Sequence, residues 1–127
     1  MINNETTPCL TLYGIKNCDT MRKARRFLEE QGIAFRFHDY RADGIDSRRL
    51  SAFVDTLGYE TLLNKRGTTW RNLPEELRDT VQDNASAVRV MLEHPAVIKR
   101  PLLCAANGHL LAGFSPSTYL TFIQENV

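Results

Sequence analysis

A short apolar run that stops at a glycine and gives way at once to a helical pattern constrains this chain most. Residues 9–13 predict the first strand, and Gly14 ends it. Apolar residues at helical spacing then predict a helix over 19–31, with Gly32 as a C-cap. Cys18 is therefore predicted to lie on a strand-to-helix turn, at or just before the first helical residue.

The position predicted for Cys18 favours its ionised form. The first backbone N–H groups of a helix have no partners within the helix, and the helix dipole adds partial positive charge there. Lys16 and Arg22 add positive potential, whereas Asp19 opposes them as a neighbouring negative charge. Because the thiolate is the nucleophilic form, we expect a lowered pKa and a reactive cysteine. An inert cysteine in a strand–helix loop is the alternative.

The composition is that of a single globular domain. The chain has 127 residues, of which 43% are hydrophobic and 24% are charged, so it can bury one core and is not disordered. A net charge of +1 gives no support to a general nucleic-acid or membrane surface. No apolar run approaches the ~20 residues that span a bilayer, and the first residues lack a signal-peptide layout. We therefore expect a cytoplasmic protein, and a monomer, because nothing demands a dimer.

The cysteines argue against a disulfide framework and against a metal site. Cys9, Cys18 and Cys104 are odd in number and widely spaced, and no C-x-x-C motif occurs. The three histidines are scattered, with none at short metal-ligand spacing from a cysteine. We expect no bound metal, and we predict that Cys9 and Cys104, which fall in apolar runs, are buried.

The residues after the first helix predict a second strand and then a run of helices. Phe35 and Phe37 alternate with polar residues over 34–39, which predicts a strand that completes a β-α-β unit. His38, in this strand, is interpreted as a structural or exposed residue. Residues 67–72 are predicted to be a loop that contains Trp70. Caps and apolar spacing predict helices that begin near Ser47, near Pro74, and after Asp83 or Asn84.

The end of the chain returns to sheet. Two apolar runs, over 102–106 and 109–113, are separated by Asn107-Gly108, which predicts a hairpin with a two-residue turn. Ser115, followed by a proline, predicts the cap of a last helix. The predicted order is β-α-β, helices, β-β-α.

This order, with a cysteine at the first helix N-terminus, is the thioredoxin-like layout, and several segments narrow it to one family. Residues 13–24, Tyr-Gly-Ile-Lys-Asn-Cys-Asp-Thr-Met-Arg-Lys-Ala, resemble the active-site signature of the arsenate reductase/Spx (ArsC-like) family, in its YffB-like branch. The resemblance extends from about residue 9 to residue 125. Further segments that fit the pattern are residues 37–41, 62–67, 98–102 and 113–114.

The resemblance implies an α/β, thioredoxin-like fold with a mixed sheet and an α-helical insertion. The whole chain, residues 1–127, is then one ArsC-like domain. Its thioredoxin-like parts lie at about 9–41 and 97–127, and the helical insertion at about 42–96.

The resemblance also implies the residues of a site. Cys18 matches the nucleophilic cysteine of the family, and Arg100 matches an arginine that holds an anionic substrate or a glutathione adduct. Pro101 matches a proline near the active site that is typically cis. Thr20 and Arg22 serve equally well in helix packing and solvation, and Arg25 and Arg26 are interpreted as a solvated helix face. The further candidates for binding substrate or glutathione are Lys16, Asn17, Thr20, Arg22 and Arg66.

Two departures from the family pattern shape the functional prediction. Asn64 stands where the arsenate reductases carry an arginine, with Arg66 two places later, which argues against strong arsenate turnover. Met21 occupies the second cysteine position of the C-x-x-C found in Spx regulators. The site therefore has one cysteine and needs an outside thiol to resolve a mixed disulfide.

These features predict a glutathione-dependent thiol reductase, with glutathione as co-substrate and glutaredoxin as a candidate protein partner. The first alternative is a weak or lapsed arsenate reductase. The second is a non-enzymatic regulator that binds RNA polymerase, as Spx proteins do. The third is a protein of the same fold in which Cys18 has no reactivity.

Overall fold

The structure is a computed structural model that describes residues 10–16 and 18–127. The predicted burial of Cys9 and the predicted binding role of Asn17 lie outside the described residues. The strands are β1 (Leu10–Gly14), β2 (Phe35–Asp39), β3 (Leu102–Ala105) and β4 (Leu110–Ala112). The helices are α1 (Asp19–Glu30), α2 (Ser47–Leu57), α3 (Tyr59–Leu62), α4 (Thr68–Asn72), α5 (Glu75–Arg78), α6 (Asn84–Glu93) and α7 (Pro116–Asn126).

The chain divides into two compact units. The first consists of the described residues up to Asp39 together with Arg100–Val127, and it contains all four strands with α1 and α7. The second, Tyr40–Lys99, contains α2 to α6 and a 3-10 turn at Pro95–Val97. Among the described residues, no helix has the length and apolar character needed to cross a membrane.

The sheet of the first unit has the strand order β2-β1-β3-β4. β1 is parallel to β2 and antiparallel to β3, and β3 is antiparallel to β4. This arrangement confirms the predicted mixed sheet of a β-α-β unit followed by a β-β-α unit. Gly14 pairs with Asp39 at the carboxyl end of the parallel strands, so the segment that leads to Cys18 leaves the sheet from this edge.

α1 forms where the sequence predicts it, because signals at both ends agree with its apolar spacing. Cys18 is the N-cap, with extended backbone angles. At the other end, Gly32 adopts a positive φ of 70°, which glycine tolerates without steric cost. The N–H of Gly32 donates to Glu29 O and that of Ile33 to Leu28 O, both at 3.0 Å, which completes a Schellman motif.

One face of the sheet and the inner faces of α1 and α7 form the core of the first unit. Alternate residues of β1 and β3 point to this face, since successive side chains of a strand point to opposite sides. On α7, Tyr119 is fully buried, and its ring meets Phe27 and Phe114 edge-on at centroid distances of 6.1 and 4.7 Å. Each fully buried leucine contributes about 1.5–3 kcal/mol of transfer free energy. The core residues are Leu10, Leu12, Met21, Ala24, Leu28, Leu103, Ala105, Tyr119 and Phe122.

The second unit carries its own caps. The Asp46 side chain accepts from the Arg48 N–H at 3.2 Å to begin α2. Asp83 begins α6 with a capping box: its carboxylate accepts from the Ser86 N–H at 2.9 Å, and the Ser86 hydroxyl accepts from the Asp83 N–H at 3.1 Å. The prediction that Asp83 or Asn84 caps this helix is confirmed, and the cap is Asp83.

The predicted loop over 67–72 is wrong. Gly67 is the N-cap of α4, which contains Trp70. Two β-branched threonines give this segment weak helix propensity, so the spacing does not reveal a helix. Trp70 is nevertheless buried, and Lys65 Nζ lies 5.8 Å from its ring centroid. Burial of this large ring stabilises a helical turn that local propensity alone does not predict.

Two predictions for the last hairpin need correction. Its turn has three residues, 106–108, not two, since Ala105 N–H donates to His109 O at 2.9 Å and Gly108, with a φ of 93°, closes the turn. Cys104 is half-buried rather than buried. It pairs with Thr11 on the sheet face opposite the core, where side chains are only partly covered.

Candidate active site

Cys18 lies at the N-terminus of α1, and the prediction of this position is confirmed. Its backbone is extended, with φ −139° and ψ 129°, and its carbonyl accepts the first helical hydrogen bond from the Arg22 N–H at 3.0 Å. The side chain is half-buried against the core of the first unit. The side chain is thus packed on one side and partly exposed.

The pKa of Cys18 is lowered below its ordinary value of 9.0, as predicted. Partial burial opposes this shift because it raises the pKa of the thiol. The Met21 N–H and the Thr20 N–H favour the thiolate, and so do the hydrogen-bonding capacity and the charge of the Arg100 guanidinium. Together these groups outweigh burial, although the thiol makes no capping hydrogen bond itself. The result is a thiol whose ionised form is favoured by a helix N-terminus and one arginine.

Arg100 and Pro101 lie immediately before β3. Leu102, the first residue of β3, pairs with Tyr13 of β1, so the antiparallel register brings this segment to the sheet edge from which the Cys18 segment leaves. The Arg100–Pro101 peptide bond is cis, as the resemblance implies, and Pro101 is buried. The Pro101 carbonyl accepts from the Gly113 N–H at 2.8 Å, which ties the segment to the end of β4.

The other predicted residues that the structure describes in the first unit, Lys16, Thr20 and Arg22, are exposed. Lys16 precedes the cysteine, while Thr20 and Arg22 lie in the first turn of α1. Thr20 acts on the sulfur through its backbone N–H, not through its hydroxyl. The Arg22 guanidinium forms an ion pair with Asp19. This pair partly offsets the positive charge that Arg22 brings near Cys18.

Arg66 belongs to the second unit, where it lines a polar groove of about 500 Å³. An isolated antiparallel bridge between Leu63 and Ile98 holds the two segments that form this groove. The Lys99 N–H donates to Leu62 O at 2.6 Å beside the bridge. The residues that line the groove are Glu60, Thr61, Leu63, Asn64, Lys65, Arg66 and Lys99. Three of these side chains are cationic and one is anionic, so the groove is suited to an anion.

The part of the chain that the structure describes contains no group of three or more histidine, cysteine or acidic side chains arranged to hold a metal ion. His38, the histidine closest in the sheet to the cysteine segment, is half-buried and pairs with Tyr13 across β1 and β2. The two rings are 5.0 Å apart between centroids. This contact agrees with the predicted structural role of His38.

One feature near Cys18 escaped the sequence analysis. A Cβ on Gly14 would lie 2.3 Å from Met21 Sδ, so a side chain at this position would force the thioether end of the fully buried Met21 to shift. Met21 is also the third helical residue after the N-cap, the position whose N–H an N-cap side chain ordinarily binds. The position of Cys18 as N-cap was therefore enough to predict that the Met21 N–H lies near its sulfur. It was not enough to predict the close contact between Gly14 and the Met21 side chain.

Comparison with known proteins places these observations in a family. The model of the ArsC family matches residues 13–122. An uncharacterized protein of Haemophilus influenzae is 43% identical over 110 residues, which cover 87% of this chain and 95% of that protein.

Solved structures give the same result. A YffB protein is 46% identical and superimposes with a TM-score of 0.82, covering 88% of this chain and 96% of its own. An arsenate reductase (ArsC) related protein from Brucella melitensis is 47% identical with a TM-score of 0.72, covering 93% and 97% of the two chains. The predicted thioredoxin-like fold and the ArsC-like resemblance are confirmed.

The similarity to Spx is weaker. The global transcriptional regulator Spx of Enterococcus faecalis is 26% identical over 121 residues, which cover 93% of this chain and 89% of that protein. This level of identity agrees with a shared fold. It carries no argument for a shared role in transcription.

Proposed function

This chain belongs to the ArsC family, and from that membership we propose that it is a glutathione-dependent thiol reductase with Cys18 as its single nucleophile. One observation carries the proposal: the pKa of Cys18 is lowered by the N-terminus of α1 and by Arg100. A stabilised thiolate beside a guanidinium is suited to attack a sulfur atom that bears an anionic leaving group. Met21, at the position of a second cysteine, leaves resolution to an external thiol.

In the first step, the Cys18 thiolate attacks the glutathione sulfur of a mixed disulfide between glutathione and a substrate thiol. A new disulfide forms between Cys18 and glutathione, the original S–S bond breaks, and the substrate leaves as a thiolate that takes a proton from water. Arg100 binds anionic groups of the bound glutathione. Pro101 shapes the groove in which the disulfide lies.

In the second step, the thiolate of another glutathione attacks the sulfur of the glutathione attached to Cys18. Oxidised glutathione leaves, and Cys18 returns as a thiolate. The net reaction converts the mixed disulfide and one glutathione thiol into the substrate thiol and oxidised glutathione, so that only the incoming glutathione is oxidised. No second protein cysteine takes part.

The pH dependence of Cys18 alkylation tests the proposal, in a background in which Cys9 and Cys104 are replaced by serine. We expect an apparent pKa below that of a free thiol, and one glutathione added to the protein by mass after treatment with oxidised glutathione. Arg100→Ala should lose most of the adduct, whereas Arg89→Ala, an exposed arginine on α6, should keep it. An unshifted pKa without an adduct would exclude the glutathione mechanism.

Arsenate reduction is the second candidate, and the ArsC family itself favours it. The Brucella melitensis relative is described as arsenate reductase related. Asn64, in place of a family arginine, predicts low turnover. Arsenite formed from arsenate with glutathione and glutaredoxin, and lost in Cys18→Ser, would support it; equal rates in both proteins would exclude it.

A further inference from the structure

The charges at the C-terminal end of α1 oppose the helix dipole. Asp19 lies in the first turn, as the dipole favours, four basic residues follow within positions 22–26, and Glu29 and Glu30 end the helix with no basic residue in the last turn. A helix is stabilised by bases, not acids, in its last turn. Basic side chains three and four positions apart also repel one another. The four residues, here called the α1 basic face, are Arg22, Lys23, Arg25 and Arg26.

This basic face is continuous with the nucleophile. Arg22 follows Cys18 by one turn, since its N–H donates to the Cys18 carbonyl at 3.0 Å, and Arg26 follows by one turn more. Both arginines are exposed, because α1 turns its apolar side to the core. Two adjoining depressions of about 240 and 190 Å³ share Arg22 and Arg26 in their lining. Their other lining residues are Asp19, Lys23, Arg25 and Glu29.

Two of the guanidinium groups are held in position. The Arg25 guanidinium lies over the Phe37 ring of β2, with its carbon 4.7 Å from the ring centroid. The Arg22 guanidinium is paired with Asp19. Arg25 is therefore not the freely solvated residue that the sequence predicts. Because their freedom is already reduced, these groups lose less entropy when an anionic ligand binds.

The length of the face indicates the kind of ligand. Arg26 lies eight residues after Cys18, which is about 12 Å along a helix at about 1.5 Å per residue. An extended tripeptide spans at most about 10 Å, and glutathione attached to Cys18 is tied there by its central residue. One glutathione therefore does not cover the face. A longer polypeptide with several carboxylates does, and it complements the charge.

We propose that the α1 basic face docks an acidic segment next to the glutathionylated cysteine of a polypeptide substrate. This inference rests on the proposed function and names its substrate class. Carboxylates near the disulfide bind the face while the Cys18 thiolate attacks the glutathione sulfur. The polypeptide then leaves as a thiolate, and a second glutathione restores Cys18 as described above.

Three glutathionylated peptides of equal length test the substrate class, with the cysteine flanked by glutamates, glutamines or lysines. We expect kcat/KM to be highest for the glutamate peptide and lowest for the lysine peptide, by at least about tenfold at low salt. The difference should shrink as the ionic strength rises. Arg22→Gln/Arg26→Gln should remove most of it, whereas Arg48→Gln/Arg89→Gln in the helical unit should not.

The glutamine peptide separates docking from a change in the nucleophile. A variant that acts only through the pKa of Cys18 changes all three rates by the same factor. Equal rates for the three peptides would overturn the docking inference and leave the reductase proposal standing.

A binding measurement keeps the inference testable if no peptide is reduced. Fluorescent peptides with serine in place of cysteine report binding by anisotropy without any reaction. The glutamate peptide should bind more tightly than the glutamine peptide, and only to proteins with Arg22 and Arg26. Equal binding of the two peptides, or tighter binding of a single-stranded oligonucleotide, would overturn it.

Discussion

Gly14 and Met21 approach each other so closely that a Cβ on Gly14 would lie 2.3 Å from Met21 Sδ and 2.6 Å from Met21 Cε. The contact joins the last residue of β1 to the first turn of α1, on either side of Cys18. Met21 is fully buried, so its side chain can move only by repacking against other core residues. The same residue supplies a backbone N–H that lowers the pKa of Cys18. Packing at the end of β1 and activation of the thiol are thus linked through one residue.

Gly14→Ala should therefore destabilise the protein and make the Cys18 thiol less acidic. Overpacking of this kind costs about 1–3 kcal/mol of unfolding free energy. Any shift of the Met21 N–H that accompanies this repacking should also raise the apparent pKa of Cys18. Urea unfolding and pH-dependent alkylation measure the two effects. In a Met21→Ala background, Gly14→Ala should cost less, and a fully additive double-mutant cycle would contradict the contact.

The lowered pKa of Cys18 couples stability to pH in a definite direction. The thiol titrates near 9.0 when unperturbed and at a lower pH in the folded protein. Its contribution to stability is complete above pH 9.0 and is lost as the pH falls through the folded pKa. The difference in unfolding free energy between the protein and Cys18→Ser should therefore increase across that window and stay constant outside it. A series of urea titrations at different pH values measures this difference, and Cys104→Ser, which removes another thiol, is the control. A difference in unfolding free energy that does not change with pH would contradict the lowered pKa of Cys18.

Arg100 should be replaceable only in part by another cation. Arg100→Ala should raise the pKa of Cys18, and Arg100→Lys should raise it less, since lysine keeps the charge but not the planar donors. A hydrogen bond to a charged group contributes about 1.5–3 kcal/mol, so the alanine variant should form the glutathione adduct at least about tenfold more slowly. Rates of adduct formation by mass spectrometry measure this. Identical rates in the lysine variant and the unsubstituted protein would show that the guanidinium geometry plays no part.

The capping box of α6 provides a test of stability without chemistry. Asp83→Ala removes the acceptor for the Ser86 N–H, so the variant should unfold at a lower urea concentration. Ser86 also holds the pKa of Asp83 below its ordinary value, so the difference between the two proteins should shrink as the pH falls through that lowered pKa. Asp83→Asn, which keeps an N-cap acceptor, should lose less. Alkylation of Cys18 should be unchanged in both variants, and a change would contradict the local role of this cap.

The elements that local signals specify were predictable from the sequence. These elements are the end of β1 at Gly14, the N-cap position of Cys18 and the positive φ of Gly32. Each depends on residues that lie within one or two helical turns of each other. The fold followed from the order of such elements. The family could be assigned only because several motifs resemble those of the ArsC family; hydrophobic periodicity alone does not identify it.

Elements that depend on distant packing were not predictable. α4 forms because Trp70 is buried, although its residues have weak helix propensity. The hairpin turn is one residue longer than predicted. Cys104 pairs with Leu110 and Ala105 bonds to His109, which leaves three residues in the turn, not two. In each case a tertiary contact outweighed the local preference.

The sequence by itself determined a cysteine at the start of a helix, because capping, glycine placement and apolar spacing act over a few residues. Arg100 stands 82 positions after Cys18 (100 − 18), and no local rule relates the two. Only the tertiary structure decided that they meet: Leu102 pairs with Tyr13, and this register brings Arg100 to the strand end from which the Cys18 segment leaves. The helix provides a partial positive charge that any N-cap receives, whereas the guanidinium reaches the sulfur only because backbone hydrogen bonds between β1 and β3 hold the two segments side by side.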